Sequence, residues 1–204
     1  MEMLVVMVII VVLATLVISI YTWLETRKNE EAANTIVRKI DMGMASYHSD
    51  HDRYPYGTEA PFQNHKSAVA DGGEYSSNVA YMALFGDFKN QGAPARDAVI
   101  YNDELNPSTQ PQSNPTVREV NVTNKAGERV KLYILTDPWG MPYRYRLGSS
   151  QSIPSKSTGT ANLKMGNGVN PDYDFWSFGK DGDSDLHNPS APENQDDIGN
   201  LPKL

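Results

Sequence analysis

Glu2–Ile20 reads EMLVVMVIIVVLATLVISI, and the fold follows from this stretch. From Met3 to Ile20 there is no charge and only two hydroxyls, Thr15 and Ser19; charge returns at Glu25. At 1.5 Å per residue the run spans about 27 Å as a helix, close to the roughly 30 Å hydrocarbon core of a bilayer. A carboxylate at the edge of such a segment is costly unless a cation meets it. Glu2 is therefore either a headgroup-level residue of an ordinary signal anchor or a functional one. No Lys or Arg precedes the run and no Ala-x-Ala follows it, so it does not read as a cleaved secretory signal. The expectation is a retained segment.

Moving outward, Glu25–Arg53 contains no proline and one glycine, Gly43. Apolar residues at Ala33, Ile36, Val37, Ile40, Met44 and Tyr47 recur every three or four positions, which draws one stripe on a helix. Tyr54-Pro55 is the expected end, because a residue before proline is pushed out of helical geometry. The two halves read as one helix of about 50 residues, roughly 75 Å long. The first half is apolar all round and wants lipid or other helices; the second is amphipathic and wants a globular partner. Arg27-Lys28 follows the run, which by the positive-inside rule weakly places that end in the cytoplasm, but Glu30 and Glu31 come directly after.

The remainder predicts one modest domain of α+β class, an antiparallel sheet on the amphipathic half of the helix. Ser77–Phe88 predicts a short helix burying Val79, Met82, Ala83 and Leu84. Gln91–Pro115 has loop composition. Thr116–Val122 and Arg129–Leu135, around Asn124-Lys-Ala-Gly127, predict a hairpin. Pro142–Leu147 and Tyr173–Phe178 are strand candidates, and Gly148–Gly168 between them reads as a flexible loop. Asp137-Pro-Trp-Gly140 reads as a tight turn with Trp139 as a packing anchor. The organisation is then 1–24 membrane or filament-core helix, 25–55 its amphipathic continuation, 56–136 an insert, and 137–204 a C-terminal sheet with an acidic loop.

The 204-residue chain carries a net charge of −7 and shows no basic stripe, which argues against nucleic-acid binding. It has no cysteine, so disulfides, thiolate chemistry and Cys-ligated zinc are excluded. Asp181, Asp183, Asp185, Glu193, Asp196 and Asp197 fall within 17 positions. Carboxylates so dense must be solvated or neutralised, and hard oxygens on a Gly-containing loop suit Ca²⁺. The EF-hand pattern fails: Leu186 stands where Gly is needed and Pro192 where Glu is needed. A solvated acidic loop and a metal site both fit the composition. His48, His51 and His65, near Asp50 and Asp52, are a lesser metal candidate. No Ser-His-Asp arrangement, P-loop or dinucleotide fingerprint is visible.

Three separated motifs carry a resemblance. Glu2 before an apolar helix resembles the mature N-terminus of type IV pilin-like proteins. Tyr47-x-x-Asp50-x-x-Arg53-Tyr54-Pro55 resembles the end of the long helix in the major pseudopilin of the bacterial type II secretion system. Asp137-Pro-Trp-Gly-x-Pro-Tyr143, then Tyr173-Asp-x-x-Ser-x-Gly-x-Asp-Gly182, then Asp196-Asp-Ile-Gly-Asn200 is similar to that family's C-terminal half. The resemblance covers about 120 residues: the helix, then Asp137 to the end. It implies a filament subunit rather than an enzyme, stacking with copies of itself into a periplasmic pseudopilus. Its implied partners are minor pseudopilins and the assembly platform of the inner membrane. Glu2 would meet the N-terminal amine of a neighbouring subunit. Calcium would bind the C-terminal loop through the side chains of Asp181, Asp196 and Asp197 and the Phe178 backbone carbonyl, with Asp183 a weaker candidate.

The chain departs from the family pattern in four places. Met1 stands directly before Glu2, where a leader and three mature residues are expected, so no prepilin-peptidase site is present as written. Val11 and Ser19 replace the helix-loosening Gly and Pro usual in pilins, which predicts a continuous helix. Residues 57–132 form a longer stretch than the family has. Leu201-Pro-Lys-Leu204 lacks the usual Trp after Asn200. Two other functions compete: a type IV pilus or DNA-uptake pseudopilin, which the absence of cysteine disfavours, and a membrane-anchored metal-dependent hydrolase, for which no nucleophile or pocket is visible.

Overall fold

The computed structural model describes residues 2–57, 73–123, 127–154, 163–185 and 191–201. Helix α1, Glu2–His51, runs unbroken for 50 residues. Its end comes slightly before the expected Tyr54-Pro55. Asp52 adopts a left-handed conformation (φ 55°) and returns its N–H to the His48 carbonyl at 2.7 Å, which closes the helix before proline is reached.

The two halves of α1 have opposite surroundings. Every side chain from Val6 to Leu24 is exposed. An 18-residue window of this half has mean hydropathy 2.5 with none of it buried, so the helix is long and apolar enough to cross a membrane. Farther along, Ala33, Val37, Ile40, Met44 and Tyr47 are all buried, the stripe that the spacing predicts. Gly43 lies on the same face. A Cβ there would stand 3.1 Å from the Leu84 side chain, so the glycine lets a second helix approach.

That second helix, α2, spans Ser77–Phe85 and is buried on every side. It ends three residues short of the expected Phe88, because Gly86 turns left-handed (φ 77°) and bonds Met82. Its polar N-terminal end joins two sheets. Ser76 Oγ accepts from Tyr145 N–H (2.8 Å), Ser77 Oγ accepts from Leu135 N–H (3.1 Å), and Asn78 Nδ2 donates to the Tyr133 carbonyl (2.7 Å). These side chains satisfy strand edges that the core would otherwise strand without water.

The expected single sheet is three small antiparallel ones among the described residues. Strands β1 (Val117–Thr123) and β2 (Arg129–Leu135) pair as the predicted hairpin. Strand β3 (Arg144–Leu147) pairs with β6 (Tyr173–Ser177), and β6 with the two-residue β7 (Ile198–Gly199). Between β3 and β6, strands β4 (Ser152–Pro154) and β5 (Leu163–Met165) pair where only a loop was expected; runs of three residues are too short to leave a periodicity. One face of β3–β6 meets α1: Tyr143 OH donates to the Ala33 carbonyl at 3.3 Å, and Tyr173 OH donates to Asp41. A single core takes in residues of α1, α2, β1, β2, β3, β6 and β7. Among the described residues, Val122, Leu132 and Ile134 form a separate cluster, on the far side of β2.

Candidate metal loop at the C-terminal end

The loop between β6 and β7 carries the sequence-predicted ligands, and its base is a buried turn. Asp137 Oδ1 accepts from Trp139 N–H (3.0 Å) and Met141 N–H (2.8 Å), and Gly140 N–H returns to the Asp137 carbonyl (2.9 Å). This is the expected tight turn, and Trp139 packs against the core as expected. The other carboxylate oxygen, Oδ2, accepts from Ser177 Oγ, and Ser177 Oγ in turn accepts from Gly179 N–H (3.0 Å). Asp137 thus ties the 137–141 turn to the start of the acidic loop. Burial pushes its carboxyl above the ordinary range; the bonds from Ser177, Met141, Trp139 and Gly140 pull the other way.

Gly179 has a left-handed backbone (φ 67°), and a Cβ there would fall 2.3 Å from the Asp196 carbonyl oxygen. Only glycine lets the two ends of the loop touch at this point. The Asp196 carboxylate then accepts from Lys180 N–H (2.6 Å) and Asp181 N–H (3.0 Å). Asp181 accepts from Asp183 N–H at 2.9 Å, an Asx turn, and Asp183 accepts from Ser184 N–H at 2.9 Å. Asp197 is 6% exposed and accepts from Ser184 Oγ at 2.7 Å. Asn194 closes the loop by bonding the Asp185 backbone twice, 2.7 Å to its N–H and 2.8 Å to its carbonyl.

Asp181, Asp183, Asp196 and Asp197 are therefore brought to one loop, each occupied by a neighbouring N–H or O–H. Among the described residues no three His, Asp or Glu converge tightly enough to hold an ion as they stand. The donor chemistry nevertheless suits calcium: all side-chain ligands are hard oxygens and there is no thiolate or imidazole in the set. Phe178 directly precedes Gly179, and its ring lies 4.6 Å from the Arg144 guanidinium carbon.

The other predicted positions lie apart. Glu2 is the first residue of α1. His48 packs on Tyr54 with ring centroids 4.6 Å apart, and His51 packs on Tyr47 at 4.2 Å. Tyr101 OH donates to Asp50 at 2.9 Å and lies 3.2 Å from His51 Nε2. Burial, with the Asp50 bond, pushes the Tyr101 phenol up to about 12. These histidines fasten the end of α1 to a loop, and His65 lies outside the described residues.

The sequence assigns no role to Ser177, Ser184, Asn194 or Asn200, although Ser177 and Asn200 stand inside the quoted motifs. Asn200 Oδ1 accepts from Phe175 N–H (2.8 Å) and Nδ2 donates to the Tyr173 carbonyl (3.1 Å), so one side chain prolongs the sheet beyond β7. Nothing in the spacing of isolated Ser and Asn residues announces such bonds. No protein-family model, curated protein or solved structure matches this chain.

Proposed function

We propose that this chain is a structural subunit of a pilin-like filament, of the kind formed by the major pseudopilin of type II secretion. The observation that carries this reading is α1: 50 continuous residues, apolar and wholly exposed from Val6 to Leu24, locked from Ala33 onward into a small α+β domain. Such a helix has two uses for its apolar half: storage in a bilayer before assembly, and packing against copies of itself afterwards. Glu2, at its first turn, supplies the charge that a neighbouring subunit's N-terminal amine neutralises in a low-dielectric filament core, which sets the stagger between subunits. The domain lies in the periplasm, anchored in the inner membrane through α1, and joins minor pseudopilins and an assembly platform. Its role is mechanical rather than catalytic.

Calcium belongs to the same reading. Asp181, Asp196 and Asp197, with the Phe178 carbonyl and secondarily Asp183, hold the ion, and the ion neutralises a loop that no disulfide constrains. The same side chains accept from the loop's own N–H and O–H groups, which holds them on one loop.

One experiment tests both parts. The full chain in detergent is melted with calcium and with chelator, and filaments are scored after expression in a host carrying the assembly machinery. The expected result is a calcium-dependent rise of several degrees in Tm, lost in Asp196→Ala, because an ion that binds only the folded state stabilises it by mass action. Glu2→Ala should leave that melting unchanged and abolish filaments. Normal filaments from Glu2→Ala sink the assembly role, and a melting curve indifferent to calcium sinks the metal.

A further inference from the structure

The hairpin of β1 and β2 has two edges, and the chain completes one of them. Along β2, Tyr133 N–H donates to Asn90 Oδ1 (3.2 Å) and Leu135 N–H to Ser77 Oγ (3.1 Å). The Tyr133 carbonyl accepts from Asn78 Nδ2 (2.7 Å) and the Leu135 carbonyl from Tyr143 N–H (2.9 Å). These two residues therefore aim their backbone groups away from β1. Antiparallel partners alternate between bonded and non-bonded pairs. Their register partners Glu119 and Val117 thus aim away from β2, and so do Asn121 and Thr123. Gln110 Oε1 accepts from Val117 N–H (3.4 Å). Beyond it, the outward N–H and C=O groups of Glu119, Asn121 and Thr123 meet no partner among the described residues, where β1 has no neighbouring strand but β2. All three residues are exposed.

Open edges are usually blunted by proline, lysine, a bulge or a very short strand. β1 has none of these: it is seven residues long, VREVNVT, and its register with β2 is unbroken. One face of the hairpin is also half finished. Val122, Leu132 and Ile134 form their cluster apart from the main core, with Val120 and Val130 only half-buried beside them.

We propose that β1 pairs antiparallel with β1 of a second copy about a two-fold axis at Asn121, joining two hairpins into one four-stranded sheet. The open stretch is self-complementary in that register. Asn121 meets Asn121 of the copy and Glu119 meets Thr123, each pair exchanging two N–H···O bonds. Val117, held by Gln110, stays outside the paired stretch. On the other face Val120 meets Val122 of the copy. Val130 and Val122 then share a row with the copy's Val120 and Leu132, and the two small clusters merge into one. No like charges are opposed. An axis at Val120 would need the Val117 N–H that Gln110 holds, and an axis at Glu119 would set two carboxylates face to face. The contact uses neither α1 nor the acidic loop, and its two-fold closes it at two copies, so it differs from stacking along a filament.

The chain has no cysteine, so introduced cysteines report the register directly. The full chain in detergent micelles, carrying Asn121→Cys, Glu119→Cys or Thr123→Cys, is oxidised and run on a gel without reductant. In the proposed register the two Asn121 Cα atoms stand about 5.5 Å apart, within the span of a disulfide. The two Glu119 Cα atoms are offset by four residues, roughly 13 Å. The expected result is covalent dimer from Asn121→Cys, roughly tenfold more than from Glu119→Cys or Thr123→Cys alone, with the last two linking to each other when mixed. Equal trapping at all three positions, or none at Asn121→Cys, overturns the proposal. Asn121→Glu separates pairing from folding. Within the chain its carboxylate faces Lys131 across the β1–β2 register, so Tm should hold, whereas across the axis two carboxylates meet. Amide exchange at Glu119 and Thr123 should slow as the parent is concentrated and should not slow in Asn121→Glu. Exchange indifferent to concentration in the parent, or slowed equally in the variant, overturns the pairing. Trapping through Asn121→Cys should persist when Glu2→Ala is added, whatever that change does to filaments. Its loss there would mean that α1 and not β1 brings the copies together.

Discussion

Asp137 is 3% exposed and satisfies two backbone N–H groups and the Ser177 hydroxyl at once. Removing its carboxylate leaves those donors covered and unmet, so Asp137→Ala should cost roughly 2–4 kcal/mol in urea unfolding. A loss below about 0.5 kcal/mol would mean that water replaces the carboxylate and that the turn is not the anchor of the acidic loop. Asp41 makes a different demand. Burial raises its carboxyl, and the bond from Tyr173 only partly offsets that. A carboxyl raised in the folded state stabilises the fold fully below its unfolded pKa, and that contribution is lost as pH rises through the folded value. Relative to Asp41→Asn, which keeps an acceptor for Tyr173, the parent should therefore gain stability as pH falls from about 7 to about 4. Urea midpoints of the pair across that range decide it; a constant difference contradicts the burial argument.

At the scale of elements, what the sequence made legible follows periodicity and punctuation. The stripe from Ala33 to Tyr47 is seen because five buried positions repeat at helical spacing. The hairpin of β1 and β2 and the existence of β3 and β6 are seen because β-branched and aromatic runs stand between turn residues; that β3 pairs with β6 is added by the fold. Strands β4, β5 and β7 are not seen: two or three residues carry no period, and their pairing is a tertiary outcome. The acidic loop is visible as composition, but not its wiring, since Ser177, Ser184 and Asn194 act through contacts distant in sequence. The end of α1 is an intermediate case. Proline marks the neighbourhood, yet the stop is made by Asp52 in the left-handed region. There a Cβ costs energy that glycine does not pay, only partly returned by the chain entropy glycine loses. Asp52→Gly should therefore stabilise the domain by about 0.5 kcal/mol, measured by denaturant midpoint. Destabilisation would show that the Asp52 side chain supports the cap in a way its backbone does not reveal.

The whole molecule divides along α1 rather than between layers. Its apolar half from Val6 to Leu24 contributes nothing to the core, whose first helical member is Ala33. Between them, Arg27 and Lys28 are exposed; Arg27 makes a surface pair with Glu30 at 3.1 Å and lies over the exposed Trp23 ring at 5.9 Å, both within the helix itself. A helical turn without packing opens locally at little cost, so it is the natural point of proteolysis. In lipid vesicles, trypsin should cut at Arg27–Lys28–Asn29, leaving the apolar peptide with the lipid and releasing the domain. All buried contacts of the domain lie beyond the cut, so the released fragment should unfold within about 0.5 kcal/mol of the uncut chain. That outcome would mean that the membrane half serves insertion or assembly and not folding, as the filament reading requires. A fragment much less stable than the parent would mean that the exposed half of α1 steadies the domain through contacts it makes only when embedded. The apolar helix would then be part of the fold and not only its anchor.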